Sequence, residues 1–438
     1  MFGVRGRLGV VVVATAVALV VGACGDDSSS RSAAAGTTGG AGVSSATSGA
    51  GSVTTVAAVS VLGSPKAASG EPLRVGFVSD GTAQTYDNTE EITAAQAAAK
   101  YANEYLGGAG GRPIEVVTCE AHGTVQGSTD CANQMVEKKV AAVVMGGAAE
   151  AGTVHNFLVA AGIPFVIYQG SSQDILGNAK LTYNLTGGVT TLLSGPAAWA
   201  KSKGYKKVTF LDMDIPQVTG AVTGLGPKVF ANAGVAMNQV AASPTAPDLT
   251  PQVQQAIAGN PDMLMMIGGS AFCTKALKAI NTLGYKGDVM ANQQCIGQDT
   301  LTQAPKAAVD GLLQTSTADV SATDPEFMLY KAVIDKYTSG VKDLYGESVA
   351  GYAAMLGFAR MMQGATGTLD PAGVETHLKQ GTPFLMPLGG GLKSACDSKA
   401  IAFLPATCTA GVYIASYGPD GTLGQATGID TADLLKLG

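Results

Sequence analysis

The sequence predicts an α/β protein built from two sheet-and-helix units, each sheet mostly parallel and flanked by helices. Three observations predict it. From Leu73 onward, short β-branched runs alternate with stretches whose apolar residues recur every three to four positions, the pattern of βαβ units. One run, Val140-Ala-Ala-Val-Val-Met145, is apolar throughout, as a strand covered on both faces requires. The series then restarts near Tyr183-Asn184-Leu185, and a second sheet is the economical account.

Element by element, Leu73 to Asp80 reads as the first strand, and Ile92, Ala95, Ala99, Ala102 and Leu106 then share one helical face. Asp87 with Glu90 is placed to cap that helix. Ile114 to Thr118 is the next strand, Thr124 to Lys139 a helix, Val140 to Met145 a strand, and Pro164 to Tyr168 another. After the restart come a helix to Lys203, the strand Lys207 to Leu211, a helix across Gly224 to Ala233, and a strand from Val235. Thr250-Pro251 reads as an N-cap followed by proline in the first turn, ahead of the strand Met263 to Ile267 and a helix carrying Leu277, Ile280 and Leu283. Asp324-Pro325 repeats the start signal, and Ser348 to Gln363 is a long Ala- and Met-rich helix whose Met stripe belongs in a core.

Length and composition agree. The 438 residues, 46% hydrophobic and 14% charged, suffice for two ordinary domains with cores. A net charge of −6 leaves no basic surplus to neutralise phosphates, so nucleic acid is not an expected partner. Arg5 and Arg7 precede the apolar run Val10 to Val21, which suits an export signal and is short for a span of ~20 residues. That run ends in Val21-Gly22-Ala23-Cys24, which resembles a bacterial lipoprotein box; the resemblance implies removal of residues 1–23 and a lipid on Cys24. Residues 24–70 are almost wholly Gly, Ala, Ser, Thr and Val without amphipathic period, a flexible tether.

With Cys24 set aside, six cysteines remain in three sequence-local couples: Cys119 with Cys131, Cys273 with Cys295, and Cys396 with Cys408. Outside the cytoplasm such couples oxidise, although six cysteines formally allow fifteen pairings. No CxxC pair and no histidine beside a cysteine supports a metal centre. His122, His155 and His377 are scattered, with no partner set for catalysis. Nucleophile-elbow, phosphate-loop, zinc-protease and dinucleotide motifs are missing.

The most telling segment is Ala94 to Gly147, where Tyr101-Ala-Asn103-Glu-Tyr-Leu runs into Gly107-Gly-Ala-Gly-Gly-Arg112-Pro-Ile-Glu115-Val-Val. This order resembles the Asn, double-Gly, Gly-Arg, Ile-Glu-Leu-Val signature of type I periplasmic substrate-binding proteins of the Leu/Ile/Val-binding class, which serve branched-chain amino acid ABC transporters. Gly162-Ile-Pro164 and Tyr417-Gly418-Pro-Asp420-Gly421 extend the likeness, which runs from about Arg74 to Leu423.

The resemblance implies two α/β lobes joined by three crossovers, with the solute clamped between them as a hinge closes. The expected division is 71–188 with 312–375 for the first lobe and 189–311 with 376–438 for the second. It also implies a monomeric, lipid-anchored solute-binding protein outside the cytoplasm, without enzyme activity or cofactor, delivering a small polar solute to an ABC permease. A sensor of the same fold, or less readily an exported hydrolase, stays open.

Loops at the carboxyl ends of parallel strands face the crevice in such folds. The expected ligand residues are therefore Tyr86, the Ala148-Ala149-Glu150 turn, Gln169 and Ser171 from lobe one, with Asp214, Ser270, Phe272 and Gln293 from lobe two. Amino-acid binders of the family usually carry Ser or Thr in the turn where this chain has Ala148 and Ala149. Backbone N–H groups there remain available to a carboxylate, whereas Glu150, Asp212 or Asp214 suits a ligand amine. An amino acid, or a related amide or carboxylate, is the expected solute.

Overall fold

A computed structural model describes residues 61–437, apart from Thr85 and the side chain of Gln217. The export signal, Cys24 and most of the tether lie outside the described residues. No described helix is long and apolar enough to cross a membrane.

Strands β1 (Leu73–Ser79), β2 (Ile114–Glu120), β3 (Ala142–Met145), β4 (Phe165–Ile167) and β5 (Thr182–Asn184) form one fully parallel sheet in the order β2-β1-β3-β4-β5. Every residue of β3 and β4 is buried, which is why their sequence shows no polar alternation. The second sheet is built from β6 (Lys207–Met213), β7 (Ala236–Ala242), β8 (Met263–Ile267), β9 (Asp288–Asn292) and β10 (Leu313–Ser316). A short hairpin, β11 (Phe384–Leu385) with β12 (Lys393–Ser394), precedes β13 (Gly411–Ser416) and β14 (Thr427–Asp430), which join the second sheet antiparallel. Its order is β14-β13-β10-β9-β8-β6-β7.

In the first lobe the Thr89–Tyr101 helix packs on the Glu347–Met361 helix. The contact is lined by Ala94, Ala95, Ala98, Ala353 and Ala354, all buried, and a Cβ on Gly351 would strike the backbone carbonyl of Glu91. Small side chains let the two backbones approach, and Met355 and Met362 fill the adjoining core. The apolar face expected to run to Leu106 is α-helical only to Tyr101, then widens into a π-helical turn over Ala102–Leu106 that ends at Gly107, φ 76°. Asn103 pins this turn to β2, its Oδ1 accepting from Ile114 N at 2.7 Å and its Nδ2 donating to Ile114 O at 3.0 Å. That pair of hydrogen bonds is the physical content of the Asn-then-Gly-Gly signature.

Several expectations need correction. Residues 61–70 belong to lobe one, not to the tether: Leu62 is buried, Lys66 N donates to Glu104 O and Ala68 N to Asn103 O, because Leu62 buries against the first-lobe core. The lobe boundary expected at 312 moves past β10, which is held in the second sheet by β9 and β13. The boundary expected at 375 moves to about 388, since Leu378, Phe384, Met386 and Leu388 pack in the first-lobe core. Asp87 does not cap its helix; its Oδ1 accepts from Thr89 N, while Glu90 accepts from Lys342 N and Asp343 N. Thr250 is not an N-cap either, its own N–H and hydroxyl being bonded to Asp248. Asp324 caps as expected, accepting from Glu326 N and Phe327 N.

The three local cysteine couples are joined: Cys119–Cys131, Cys273–Cys295 and Cys396–Cys408. His155 is a buried, satisfied polar residue, bonded to Thr182 Oγ1 at 2.9 Å.

Candidate functional site

A cavity of about 720 Å³ opens between the lobes. Lobe one contributes Tyr168 and Gln169, which follow β4, and the chain from Lys342 to Ala350, where the Glu347–Met361 helix begins. Lobe two contributes Gln293 to Leu301, after β9, together with Gln314 of β10 and the Tyr417 to Leu423 stretch after β13. A second space of about 230 Å³ adjoins it, sharing Gln169, Gln293, Gln294 and Thr317 and adding Ser171 and Thr191 beside the first crossover. The two form one crevice at the strand ends of both sheets.

Strand ends and crossovers fix the polar groups of this crevice. Tyr168 OH donates to Thr317 O at 3.2 Å and Gln169 Nε2 to Thr317 Oγ1 at 3.0 Å, so the segment leaving β10 is tied to the end of β4. Gln293 Nε2 donates to Tyr345 O at 3.3 Å, one direct link between the lobes across the crevice. Gln314 Oε1 accepts from Tyr417 OH at 2.7 Å. The disulfide Cys273–Cys295 holds the segment bearing Gln293 and Gln294 against the Ser270–Leu283 helix. Five glutamines thus line the larger cavity: Gln169, Gln293, Gln294, Gln298 and Gln314.

Behind the lobe-one wall stands a group of carboxylates. Glu91 is fully buried; Ser79 Oγ donates to its Oε2 and Gly147 N to its Oε1 at 2.9 Å. Burial pushes this carboxyl up to about 8, opposed by the hydrogen bonds from Ser79 and Gly147 and helped to a lesser degree by like-charge repulsion from Glu347 and Asp80. A Cβ on Gly146 would collide with the Glu91 carboxylate, so glycine is required there. Asp80, at the end of β1, accepts from Ala149 N and Tyr86 OH through Oδ2, each at 2.8 Å. Its Oδ1 is buried and has no partner. Glu347, first residue of its helix, lines the cavity, and desolvation and Asp80 raise its pKa.

Three of the ten expected ligand residues, Gln169, Ser171 and Gln293, line the crevice. Tyr86 is bonded to Asp80 outside it, its hydroxyl pushed up to about 12 by desolvation and that hydrogen bond. Ala148 packs on the lobe-one core, Ala149 N is taken by Asp80, and Glu150 stands at the start of the Ala151–Ala160 helix with its carboxylate against Thr153. Asp214 is exposed beyond the crevice. Ser270 is turned to Thr300, their hydroxyls 2.7 Å apart. Phe272 is a correction: it is 3% exposed and packs in the lobe-two core, because the first turn of its helix points it back across Gly268 instead of into the crevice.

The sequence reading missed Gln298, Gln314, Thr317, Tyr345 and Glu347. The last two stand at the start of a helix that the sequence does disclose, and its amino end lies over the carboxyl end of β3. Among the described residues no group of three or more His, Cys, Asp or Glu side chains is placed to hold a metal ion.

A family model described as periplasmic binding protein matches residues 72–409. No curated protein matches. Among solved structures, an ABC transporter substrate-binding protein from Sphaerobacter thermophilus superposes with a TM-score of 0.66 at 17% identity, covering 83% of this chain and 100% of that one. A solute binding protein of an ABC transporter from R. palustris, in complex with 4-hydroxybenzoate, gives 0.60 at 21% identity, covering 82% and 96%. The branched-chain amino acid transporter substrate binding protein from Streptococcus pneumoniae, in complex with isoleucine, gives 0.58 at 16% identity, covering 82% and 100%. At these identities the likenesses establish the two-lobe fold, while the family match spans most of the chain. With its two mostly parallel sheets and interlobe crevice, this chain belongs to the periplasmic binding protein family.

Proposed function

We propose that this protein captures a small polar solute between its two lobes and delivers it to an ABC permease. The observation that carries the reading is the crevice of about 720 Å³ walled by both lobes and lined by amide side chains that keep donors and acceptors available. Closure of the lobes would bury the solute, and a permease that favours the closed form would take it up and reopen the hinge. No covalent chemistry is required.

The protein is further proposed to be exported and anchored on the outer side of the bacterial membrane by a lipid on Cys24, as a monomer. Three disulfides support an oxidising compartment. A Cys24→Ala variant should lose lipid labelling and pass into the soluble fraction; unchanged membrane retention rules the anchor out.

Small-angle scattering with and without a saturating, verified ligand tests the clamp. A smaller radius of gyration with ligand is expected, and identical curves refute hinge closure. A thermal-shift screen of the purified chain against amino acids, amides, amines and carboxylates tests capture itself, since ligand at ~100 times its dissociation constant adds roughly 2.7 kcal/mol to stability.

A further inference from the structure

Resting on the reading that the crevice holds a small solute, we propose that this solute carries a positive charge, an ammonium or amidinium group, and no free carboxylate. Glu347 would seat the charge and the glutamine-lined wall would take the neutral remainder.

The turn after β3 is where an anionic ligand group would look for backbone N–H donors. Two of its donors are already used by the chain itself: Gly147 N bonds Glu91 Oε1 at 2.9 Å and Ala149 N bonds Asp80 Oδ2 at 2.8 Å. Those two amides are therefore not offered to a ligand carboxylate, and the turn stands behind the cavity lining. What that side of lobe one lacks is a donor, because Asp80 Oδ1 is buried, the residue being 1% exposed, without a hydrogen-bond partner.

The cavity wall carries two acids against one lysine. Its charged residues are Lys342, Asp343 and Glu347, and no arginine is among its described lining residues. Asp343 is partly spent, its Oδ1 accepting from Tyr345 N. Glu347 makes no hydrogen bond or ion pair with any described residue while it faces the cavity, and Asp80 lies close enough behind it to disfavour its charge. A ligand cation relieves that repulsion, and in a crevice that closes and sheds water the interaction strengthens. Tyr345, 53% exposed, supplies an aromatic ring on the same wall, a surface that suits an organic cation better than an acid.

The test is calorimetric titration of the purified full chain with matched sets on two skeletons: isoamylamine, isovaleramide and isovalerate; tyramine, 4-hydroxyphenylacetamide and 4-hydroxyphenylacetate. On at least one skeleton the amine should bind tenfold or more tightly than the acid, as one charge-assisted hydrogen bond provides. Glu347→Gln should cut amine affinity at least tenfold and leave the amide unchanged, with the melting curve of the free protein preserved. Asp80→Asn should narrow the amine-to-acid ratio independently. An acid that binds as tightly as its amine overturns the charge assignment and leaves solute capture standing. Silence from every member at millimolar concentration, in a protein that melts cooperatively, counts against both.

Discussion

Glu91 makes stability fall as pH rises, and Glu91→Gln should abolish that fall. Its side chain is fully buried between β1 and the turn after β3, and burial moves its carboxyl from an ordinary 4.5 to about 8. At neutral pH the native protein therefore holds a proton here that the unfolded chain has released. Below pH 4.5 both states are protonated and the group costs nothing. Between 4.5 and 8 the native state binds more protons than the unfolded one, so unfolding free energy declines by about 1.4 kcal/mol per pH unit. Across the whole window this reaches about 5 kcal/mol, an upper figure because the chain relaxes around a charge that has to form. Glutamine keeps the geometry: its Oε1 still accepts from Gly147 N and its Nε2 donates to Ser79 Oγ. Urea unfolding followed by circular dichroism at a series of pH values from acid to mildly alkaline measures the difference. The variant should match wild type near pH 4 and exceed it by roughly 2–4 kcal/mol above pH 8. Parallel curves, with the same offset at every pH, would refute the assignment of a neutral buried acid.

Asp212, buried at the end of β6 and raised to about 6 by desolvation, behaves in the same sense over a lower window. Its Oδ2 accepts from Gln239 and its Oδ1 has no partner. Asp212→Asn should stabilise the protein by about 2 kcal/mol at pH 7 and by nothing below the ordinary aspartate range, measured in the same titration. Phe272→Ala should cost about 3–5 kcal/mol as a core truncation, lowering the melting temperature while the affinity of folded protein for its solute stays put. Cys295→Ser opens the loop to Cys273 and should cost roughly 3 kcal/mol, and because the freed segment carries Gln293 and Gln294 it should also weaken ligand binding. Cys119→Ser, in a disulfide away from the crevice, should cost stability alone; equal effects of both on affinity would refute the positioning role.

The parts of the fold legible in sequence are those where one local interaction decides. Val140 to Met145 and Met263 to Ile267 announce buried strands by their unbroken apolar runs, and Asp324-Pro325 announces a helix start by the bonds Asp324 makes. The Asn103 and glycine pattern is legible for the same reason, since a single side chain closes the turn onto β2. The crevice was legible only where a strand end and the site coincide, at Gln169, Ser171 and Gln293. Phe272 misled because position after a strand does not say which way the first helical turn points a side chain. Glu347 and Tyr345 were hidden because their place depends on a helix from the far end of the chain packing over β3, a contact separated by some two hundred residues. Leu62 was hidden by the low-complexity stretch around it, although its burial and the backbone bonds of Lys66 and Ala68 hold the segment on the lobe.

The buried acids Glu91 and Asp80 also fix the turn that stands behind the lobe-one wall of the crevice. A turn bearing Gly146, Gly147, Ala148 and Ala149 has almost no side chains with which to fix itself, yet Glu91 bonds one of its amides and Asp80 another. Its conformation is therefore set before any solute arrives, and the ordering cost is met in folding, not in binding. Lobe two is fixed differently, by the Cys273–Cys295 bridge beside Gln293. With both walls stiff, the freedom left for binding lies in the crossovers, and the Gln293–Tyr345 bond is the contact a closing motion must keep or exchange. Gln293→Ala would remove that link without touching either wall's support. It should shift the scattering of the ligand-free protein toward larger dimensions while leaving its melting temperature within a degree or two, since an exposed hydrogen bond is worth only about 1 kcal/mol. An unchanged radius of gyration would place the resistance to opening in the crossovers themselves.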